Sequence, residues 1–318
     1  MLSERKELLS IVVPCYNEED AIPFFIDEIC NVLSNMESVD YEIIFVDDGS
    51  RDATLEVLRR FSESNSQVRW VSLSRNFGKE AALIAGLKEA KGDFTAVIDV
   101  DLQDPPGLLP EMYDAIVNEG YDCVATRRVT RKGEPPIRSF FSRLFYKLSG
   151  KIFQVELVDG VRDFRLIRRN VVDAIIMLGE KNRFSKGIFS WVGFKTKYLE
   201  YENIERKHGA TKWSFWNLLV YSIDGIVSFS TAPLIWLSIA GIAFCIFAFG
   251  MAIYFALIRL IVGIAVDGWA AMIVIVLFFG GVQLLGIGVL GQYIAKMFIE
   301  VKNRPIYIIR ERSDDNSN

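Results

Sequence analysis

The sequence has little histidine and few cysteines, and both shortages exclude classes of site. His208 is the only histidine, which excludes histidine-rich metal centres and disfavours a catalytic triad built on histidine. The four cysteines lack Cys-x-x-Cys spacing, so neither a zinc site nor a disulfide framework is predicted. The formal net charge of −4 disfavours a nucleic-acid partner.

A secretory signal is also lacking at the start of the printed sequence. Residues Met1 to Glu7 are polar, and the first apolar run, Leu8 to Pro14, has the length of a strand. We therefore expect the amino-terminal domain to remain in the cytoplasm.

Two long runs without any charged residue stand near the carboxyl end. They are Ala232 to Ile258 and Gly268 to Ala295, separated by the charged segment Arg259 to Asp267. Each run exceeds the roughly 20 residues that a helix needs to cross a bilayer. The sequence predicts two transmembrane helices joined by a short loop.

Basic residues flank the outer ends of this predicted hairpin. Lys207 and Lys212 precede it, and a second group follows it: Lys296, Lys302, Arg304, Arg310 and Arg312. The connecting loop offers only Arg259 against Asp267. The positive-inside bias predicts an inner (plasma) membrane protein with both termini and the amino-terminal domain in the cytoplasm.

The amino-terminal part alternates short apolar runs with amphipathic helical patterns, which predicts an α/β domain with a mainly parallel sheet. The predicted strands are 9–13, 42–46, 68–73, 94–97 and 123–126, and the predicted helices are 20–33, 53–61, 80–90 and 108–117. Polar residues follow each strand, and such sheets bind ligands at the carboxyl ends of their strands. The predicted site is one cleft at that edge.

The expected domain limits follow from these patterns. Residues 1–206 form the cytoplasmic domain, 207–230 a juxtamembrane amphipathic helix, 231–298 the transmembrane hairpin and 299–318 a cytoplasmic tail, of which 313–318 is expected to be disordered. Periodicity alone leaves two positions open for the juxtamembrane helix, in the membrane interface or packed on the domain core. Trp213 and Trp216 favour the interface.

The run from Ile98 to Pro106 is the strongest chemical signal. Asp99 and Asp101 point the same way from extended backbone after a buried strand. Paired carboxylates hold Mg²⁺ or Mn²⁺ when a substrate phosphate completes the coordination shell. A divalent metal and a phosphorylated substrate are therefore predicted, although acidic pairs also occur on many solvated turns.

Other carboxylates suit the nucleoside of such a substrate. Glu18 and Asp48 can accept hydrogen bonds from ribose hydroxyls or a base N–H, with Asp47 as support. An alternative remains open, because Asp48-Gly49-Ser50 is also ordinary turn chemistry and Ser50 is a good helix cap.

Two basic stretches are candidates for phosphate contacts. Arg127 and Arg138 are selected from the first stretch. The second, 203–212, contains Gly209-Ala210-Thr211-Lys212 directly before the juxtamembrane helix. Attraction to anionic lipid explains Lys207 equally well but explains the glycine-containing pattern less well.

These motifs together resemble family-2 glycosyltransferases of the GT-A fold. The resemblance rests on the following segments: Val13 to Glu19, Val46 to Ser50, Ser74 to Lys79, Asp99 to Pro106, Asp163 to Arg165 and Arg206 to Lys212. More narrowly, the chain resembles the polyisoprenyl-phosphate glycosyltransferases, the group of dolichyl-phosphate mannose synthase and the bacterial GtrB-type undecaprenyl-phosphate glucosyltransferases. The resemblance covers nearly the whole chain, including the paired apolar runs.

The resemblance implies inverting transfer of a hexose from a nucleotide sugar to a polyprenyl phosphate. Glucose from UDP-glucose and undecaprenyl phosphate are the expected substrates. By position it implies that Pro14, Tyr16, Glu18 and Asp48 bind the nucleoside, that Asp99, Asp101 and Gln103 bind the metal and diphosphate, and that Arg127, Arg138, Arg206 and Lys212 bind phosphates. The chain departs from the family pattern at 159–165, which leaves the roles of Asp159 and Arg162 open.

A lipid phosphate is already anionic at neutral pH, so the reaction needs alignment more than a strong base. The expected catalytic residues are Asp101, Asp159, Asp163, Arg206 and Lys212, with Asp159 or Asp163 orienting a substrate. Two alternatives are a processive polysaccharide synthase and a non-catalytic membrane scaffold that retains a nucleotide fold. A homo-oligomer and a flippase partner are further expectations.

Overall fold

The computed structural model describes residues 6–129, 158–202, 227, 230–262 and 268–316. Three predicted site residues, Arg138, Arg206 and Lys212, lie outside the described residues, as does nearly all of the predicted juxtamembrane helix.

An eight-stranded sheet forms the centre of the amino-terminal domain. The strands are β1 (Glu7–Cys15), β2 (Val39–Asp47), β3 (Val68–Leu73), β4 (Phe94–Val97), β5 (Cys123–Arg128), β6 (Val161–Arg168), β7 (Thr196–Tyr201) and β8 (Ile309–Arg312). Their order is β7-β5-β6-β4-β1-β2-β3-β8. The predicted α/β domain with a mainly parallel, Rossmann-like GT-A sheet is confirmed.

Helices cover both faces of this sheet because its strands are apolar on both sides. The helices are α1 (Ala21–Ser34), α2 (Thr54–Ser64), α3 (Lys79–Glu89), α4 (Leu109–Val117), α5 (Arg169–Met177) and α6 (Ser185–Trp191). One core contains Phe25 of α1, Leu58 of α2 and Met112 of α4. The second contains Ile84 of α3, Val172 of α5 and Ile188 of α6. Each core excludes water from one face, which is the main source of stability in such a layered fold.

Strand β6 interrupts the parallel arrangement, and the interruption places its start at the functional edge. It runs antiparallel between β4 and β5, with Val97 of β4 opposite Arg165 of β6. In antiparallel pairing, a step of two residues forward from a pair on one strand corresponds to a step of two residues back on its partner. The register therefore directs Asp99 and Asp163 toward each other just beyond the ladder.

The carboxyl-terminal residues return to the sheet, which differs from the expected tail. Strand β8 pairs antiparallel with β3, and Ser313–Asn316 forms a turn of 3₁₀ helix. Arg69 of β3 contacts the Asp314 carboxylate at 2.8 Å. The expectation of disorder from Ser313 onward was wrong for 313–316, because the ion pair of Asp314 with Arg69 and a hydrogen bond from Trp70 N to Ser313 Oγ hold this polar segment.

Two long apolar helices connect the domain to this returning strand. They are α7 (Ala232–Val262) and α8 (Trp269–Val301), and each has a stretch long and apolar enough to cross a membrane, Ala232–Phe255 and Met272–Val301. The helices touch through Phe244 and Phe279, whose ring centroids are 5.5 Å apart. Most of their large apolar side chains are exposed, which suits a lipid environment.

Candidate active site

The first part of the site joins the end of β2 to the start of α3. Asp48 is buried, and its two carboxylate oxygens accept hydrogen bonds from the backbone N–H of Phe77 at 2.7 Å and of Gly78 at 2.8 Å. Burial raises the pKa of Asp48, and these two amides partly oppose that rise. The predicted nucleoside ligand thus also fixes the amino-terminal end of α3.

The loops after β1 and β2 are interlocked beside Asp48. Ser50 Oγ accepts a hydrogen bond from Asn17 N at 3.0 Å, and Thr54 Oγ1 accepts one from Glu18 N at 2.9 Å. Asp47 supports this loop, because its carboxylate accepts hydrogen bonds from Ser50 N at 2.9 Å and from the hydroxyl of Ser72 on β3. The predicted nucleoside residues Pro14, Tyr16 and Glu18 lie on the β1 side of this interlocked pair of loops.

The centre of the site is an ammonium group between two carboxylates. Lys79, the first residue of α3, places Nζ 2.7 Å from Asp99 Oδ1 and 2.5 Å from Asp163 Oδ2. Asp99 follows β4 and Asp163 belongs to β6, so three elements converge here. The side chains of Lys79, Asp99 and Asp163 keep exposed fractions of 47, 23 and 31%. The cluster is therefore open to solvent and to a substrate.

The charges in this cluster influence one another strongly. Burial disfavours the protonated form of Lys79, but the carboxylates of Asp163 and Asp99 outweigh burial and raise the pKa of this lysine. Burial disfavours the ionised form of Asp163, but Lys79 and Lys186 outweigh burial and hold the pKa of Asp163 well below its usual range. Burial raises the pKa of Asp99, and Lys79 opposes that rise. The Lys79 ammonium thus favours the ionised form of both carboxylates.

A second network supports the turn that carries Asp101. Asp104 is buried and accepts hydrogen bonds from Arg162 Nε at 3.1 Å and from the Tyr201 hydroxyl. Arg162 also donates to Gln103 Oε1 at 3.2 Å. Burial and the Asp104 carboxylate raise the pKa of Tyr201. Strands β6 and β7 thereby fix the backbone just after Asp101 and engage the predicted ligand Gln103.

Arg127 and Asp159 lie together at the outer side of the same edge. Arg127 Nε donates to the Asp159 carbonyl at 3.0 Å, and its Nη1 is 3.2 Å from Glu200 Oε1. Gly160 makes the close approach possible, because a Cβ there would lie 2.5 Å from the Arg128 carbonyl oxygen. The predicted phosphate-binding arginine is thus held by backbone and by one exposed carboxylate.

The residues at this edge fit one mode of divalent-metal binding. Among the described residues, no group of three or more acidic, thiol or imidazole side chains is placed to hold a metal by itself. Magnesium, however, is often held by one or two carboxylates while substrate phosphates and water supply the other ligands. Asp101, with Asp99 beside it, fits that mode.

Four residues at this edge were given no binding or catalytic role by sequence reasoning. They are Lys79, Asp104, Arg162 and Tyr201. One signal was present for Lys79, since a cation in the first turn of a helix opposes the helix dipole unless it meets an anion. No local signal marked Tyr201, because its partner Asp104 lies far away along the chain.

Comparison with known proteins finds a family model that matches and relatives that are similar over nearly the whole chain. The family model described as "Glycosyl transferase family 2" matches residues 10–176. The "Prophage bactoprenol glucosyl transferase homolog" of Escherichia coli K12 is 43% identical over 303 residues, covering 95% of this chain and 98% of the relative. The "Bactoprenol glucosyl transferase" of Shigella phage SfII is 42% identical over 304 residues, covering 95% and 97%.

A solved structure is also similar. It is glucosyl-3-phosphoglycerate synthase from Mycobacterium tuberculosis in complex with Mn²⁺, UDP-glucose and phosphoglyceric acid, with a TM-score of 0.46 and 20% identity. The match covers 70% of this chain and 78% of that chain. Similarity at this level carries no inference about substrate or metal.

Proposed function

The chain belongs to glycosyl transferase family 2, and from that premise we propose that it transfers glucose from UDP-glucose to a polyprenyl phosphate such as undecaprenyl phosphate. One observation carries the proposal. The similarity to bactoprenol glucosyl transferases extends over 95% of the chain and so includes the two apolar helices as well as the sheet domain. In this proposal the two apolar helices keep the sheet domain beside an acceptor that lies in the membrane.

The proposed donor site uses the carboxyl edge of the sheet. Pro14, Tyr16, Glu18 and Asp48 hold the uridine, and the fixed backbone around Asp48 keeps that pocket rigid. Asp101, with Asp99 and Gln103 beside it, holds a divalent cation, Mg²⁺ or Mn²⁺. When bound, this cation supplies positive charge to the departing diphosphate.

The chain's own residues perform the remaining work in this proposal. Arg127, Arg138, Arg206 and Lys212 bind the phosphates of donor and acceptor. Lys79 holds Asp163 beside Asp99, and Asp163 or Asp159 orients a substrate hydroxyl. The lipid phosphate is an anionic nucleophile at neutral pH because its second pKa is about 6. Attack from the face opposite the leaving diphosphate gives inversion at the anomeric carbon.

The proposed location is the inner (plasma) membrane. The two apolar helices span it, and the sheet domain and both termini face the cytoplasm, as the flanking basic residues favour. In this proposal residues 1–206 are the catalytic domain, 207–230 lie at the interface, 231–298 span the bilayer and 299–318 return to the cytoplasmic side. A homo-oligomer and a flippase partner remain part of the proposal.

Transfer of radiolabelled sugar tests this function directly. The full-length chain in detergent is given undecaprenyl phosphate, Mg²⁺ or Mn²⁺, and either UDP-glucose or GDP-mannose. We expect lipid-linked label from UDP-glucose, its loss with EDTA, and a product of the opposite anomeric configuration. Asp101→Asn should abolish transfer, whereas Asp114→Asn on the exposed face of α4 should retain it.

Two outcomes would contradict the proposal. Extension of a sugar polymer in place of a single lipid-linked sugar would favour a polysaccharide synthase. A folded chain that transfers no sugar from any common nucleotide sugar would favour a non-catalytic scaffold.

A further inference from the structure

A large cavity lies between the end of α8 and the sheet domain. Its volume is about 560 Å³, within the usual range for a site that holds a small molecule. One wall is the last turns of α8 and the segment that follows, through Arg304 to Ile306. The rest of the lining comes from the segment 181–184 and from Phe77 and Glu80 near the start of α3.

The lining of this cavity is strongly cationic. Six of its residues are lysine or arginine: Arg75, Lys181, Arg183, Lys296, Lys302 and Arg304. Among the described residues of the lining Glu80 is the one carboxylate, and it accepts hydrogen bonds from the backbone N–H of Ser185 at 3.0 Å and from the Ser185 hydroxyl. The two Ser185 donors are neutral, so the lining still sets one carboxylate against six cations. The excess of positive charge means that the cavity favours an anion.

The same lining is also apolar, which indicates the kind of anion. Phe77, Phe298 and Ile306 contribute apolar surface. The Arg75 guanidinium lies 4.3 Å from the centre of the Phe77 ring, and Lys302 Nζ lies 4.2 Å from that of Phe298. A ligand with a charged head and an apolar body matches both kinds of surface.

The position of the cavity favours a membrane lipid over the reacting substrates. It adjoins the end of Met272–Val301, the second apolar stretch, where basic pockets on membrane proteins hold acidic headgroups. Its lining includes none of the carboxylates Asp99, Asp101 and Asp163. An occupant would therefore sit beside the candidate active site rather than in it.

We propose that this cavity binds the phosphate headgroup of an anionic phospholipid. The proposal rests on the proposed membrane location and is independent of which sugar is transferred. Phe77 and Glu80, on either side of Gly78 and Lys79, line the cavity, so a bound headgroup buttresses the start of α3. Lys79 in turn contacts Asp99 and Asp163, and lipid composition can thereby affect the active site without a substrate contact.

The anchoring of the segment 181–184 supports this coupling. Glu300 of α8 accepts hydrogen bonds from the backbone N–H of Lys181 at 2.8 Å and of Asn182 at 3.0 Å. These hydrogen bonds attach the segment 181–184 to the end of α8. A headgroup held by Lys302 and Arg304 would therefore lie against a segment that is already bonded to the helix.

Native mass spectrometry of the delipidated full-length chain tests the proposal without any sugar donor. The chain is titrated separately with phosphatidylglycerol, with phosphatidylcholine and with undecaprenyl phosphate. We expect tighter binding of phosphatidylglycerol, and a loss of at least about tenfold in its affinity in the double variant Lys302→Gln, Arg304→Gln. The matched control is Arg310→Gln, which removes an exposed cation outside the cavity and should bind like the original chain.

Four results would overturn the proposal. They are equal binding of the two lipids, an equal loss in the control and the double variant, no loss in the double variant, and a loss confined to undecaprenyl phosphate, which would identify the occupant as the acceptor. A chain recovered from cells in the soluble fraction would overturn it together with the membrane location. Failure of sugar transfer alone would leave the lipid result standing.

Discussion

The Lys79 ammonium donates a hydrogen bond of 2.5 Å to the carboxylate of Asp163. The same ammonium contacts Asp99 at 2.7 Å, so one cation separates two carboxylates that would otherwise repel each other. Lys79 therefore holds together two carboxylates that the pairing of β4 with β6 brings close, at the edge where the diphosphate of a donor is proposed to bind.

Removal of this cation should impair catalysis more than folding. For Lys79→Met we expect a fall of at least about tenfold in kcat/KM for the sugar donor, equivalent to roughly 1.4 kcal/mol of transition-state stabilisation. Lys79→Arg should recover part of the activity because it restores the charge. Steady-state transfer rates measure both.

The matched control is Lys88→Met, which removes an exposed lysine from the last turn of the same helix. It should keep full activity. Thermal unfolding of each variant separates loss of activity from loss of fold. Full activity in Lys79→Met would contradict a role for this residue in positioning Asp163.

The Tyr201 hydroxyl should contribute measurably to stability. Tyr201→Phe leaves the buried Asp104 carboxylate with Arg162 as its donor among the contacts described above. Hydrogen bonds to charged groups contribute about 1.5–3 kcal/mol, so we expect the free energy of unfolding to fall by roughly that amount. Tyr121→Phe removes a hydroxyl elsewhere in the domain and should be nearly neutral; equal losses in both variants would refute the assignment.

Gly49 should not tolerate alanine, for two separable reasons. Its φ is +66°, and a Cβ there would lie 2.4 Å from the Arg75 carbonyl carbon. Gly120 has a similar φ of +71° but no heavy atom within 4 Å of such a Cβ. Gly120→Ala should therefore cost only the conformational strain, about 1–2 kcal/mol, and Gly49→Ala should cost more. Denaturant unfolding compares them, and equal losses would show that the steric contact is unimportant.

The ion pair between Arg69 and Asp314 should make stability depend on pH. The hydrogen bond from Arg69 lowers the pKa of Asp314 in the folded chain. Because this pKa is lower in the folded chain, the ionised carboxylate stabilises the folded state at pH values above its unfolded pKa of about 4. That stabilisation is lost as the pH falls through the pKa of the folded chain.

Asp314→Asn should therefore lower the unfolding free energy at neutral pH, by no more than about 1 kcal/mol because the carboxylate is half exposed. The difference from the original chain should shrink in acid below about pH 4. Asp40→Asn, at another exposed position, serves as control. A difference that stays constant with pH would exclude the ion pair as its cause.

Sequence patterns predicted the strands whose two faces are both apolar. The limits of β3 and β4 agree with the predicted 68–73 and 94–97. Strands β6, β7 and β8 were not predicted, because charged residues interrupt their apolar pattern. In β6 the Arg165 guanidinium lies 3.7 Å from the centre of the Phe189 ring, so tertiary contacts satisfy a residue that local patterning would place in solvent.

The candidate site shows the same division between local and distant information. The polar residues after β1, β2 and β4 were predictable, because they directly follow apolar runs and parallel strands share one edge. The contact of Asp163 with Lys79 was not, since it depends on the antiparallel insertion of β6, and no feature near Asp163 fixes that register. The assigned roles of the site residues remain predictions until variants are measured.

Strand β8 has a practical consequence for anyone preparing the sheet domain alone. A chain cut before α7 loses β8 as well as the helices, and β3 then becomes an uncovered edge with a row of unpaired backbone groups. Such a fragment should aggregate through that edge. A soluble version needs residues 309–316 rejoined to the domain by a linker long enough to cross the sheet, because β7 and β8 lie at its opposite edges, roughly 34 Å apart at about 4.8 Å between neighbouring strands.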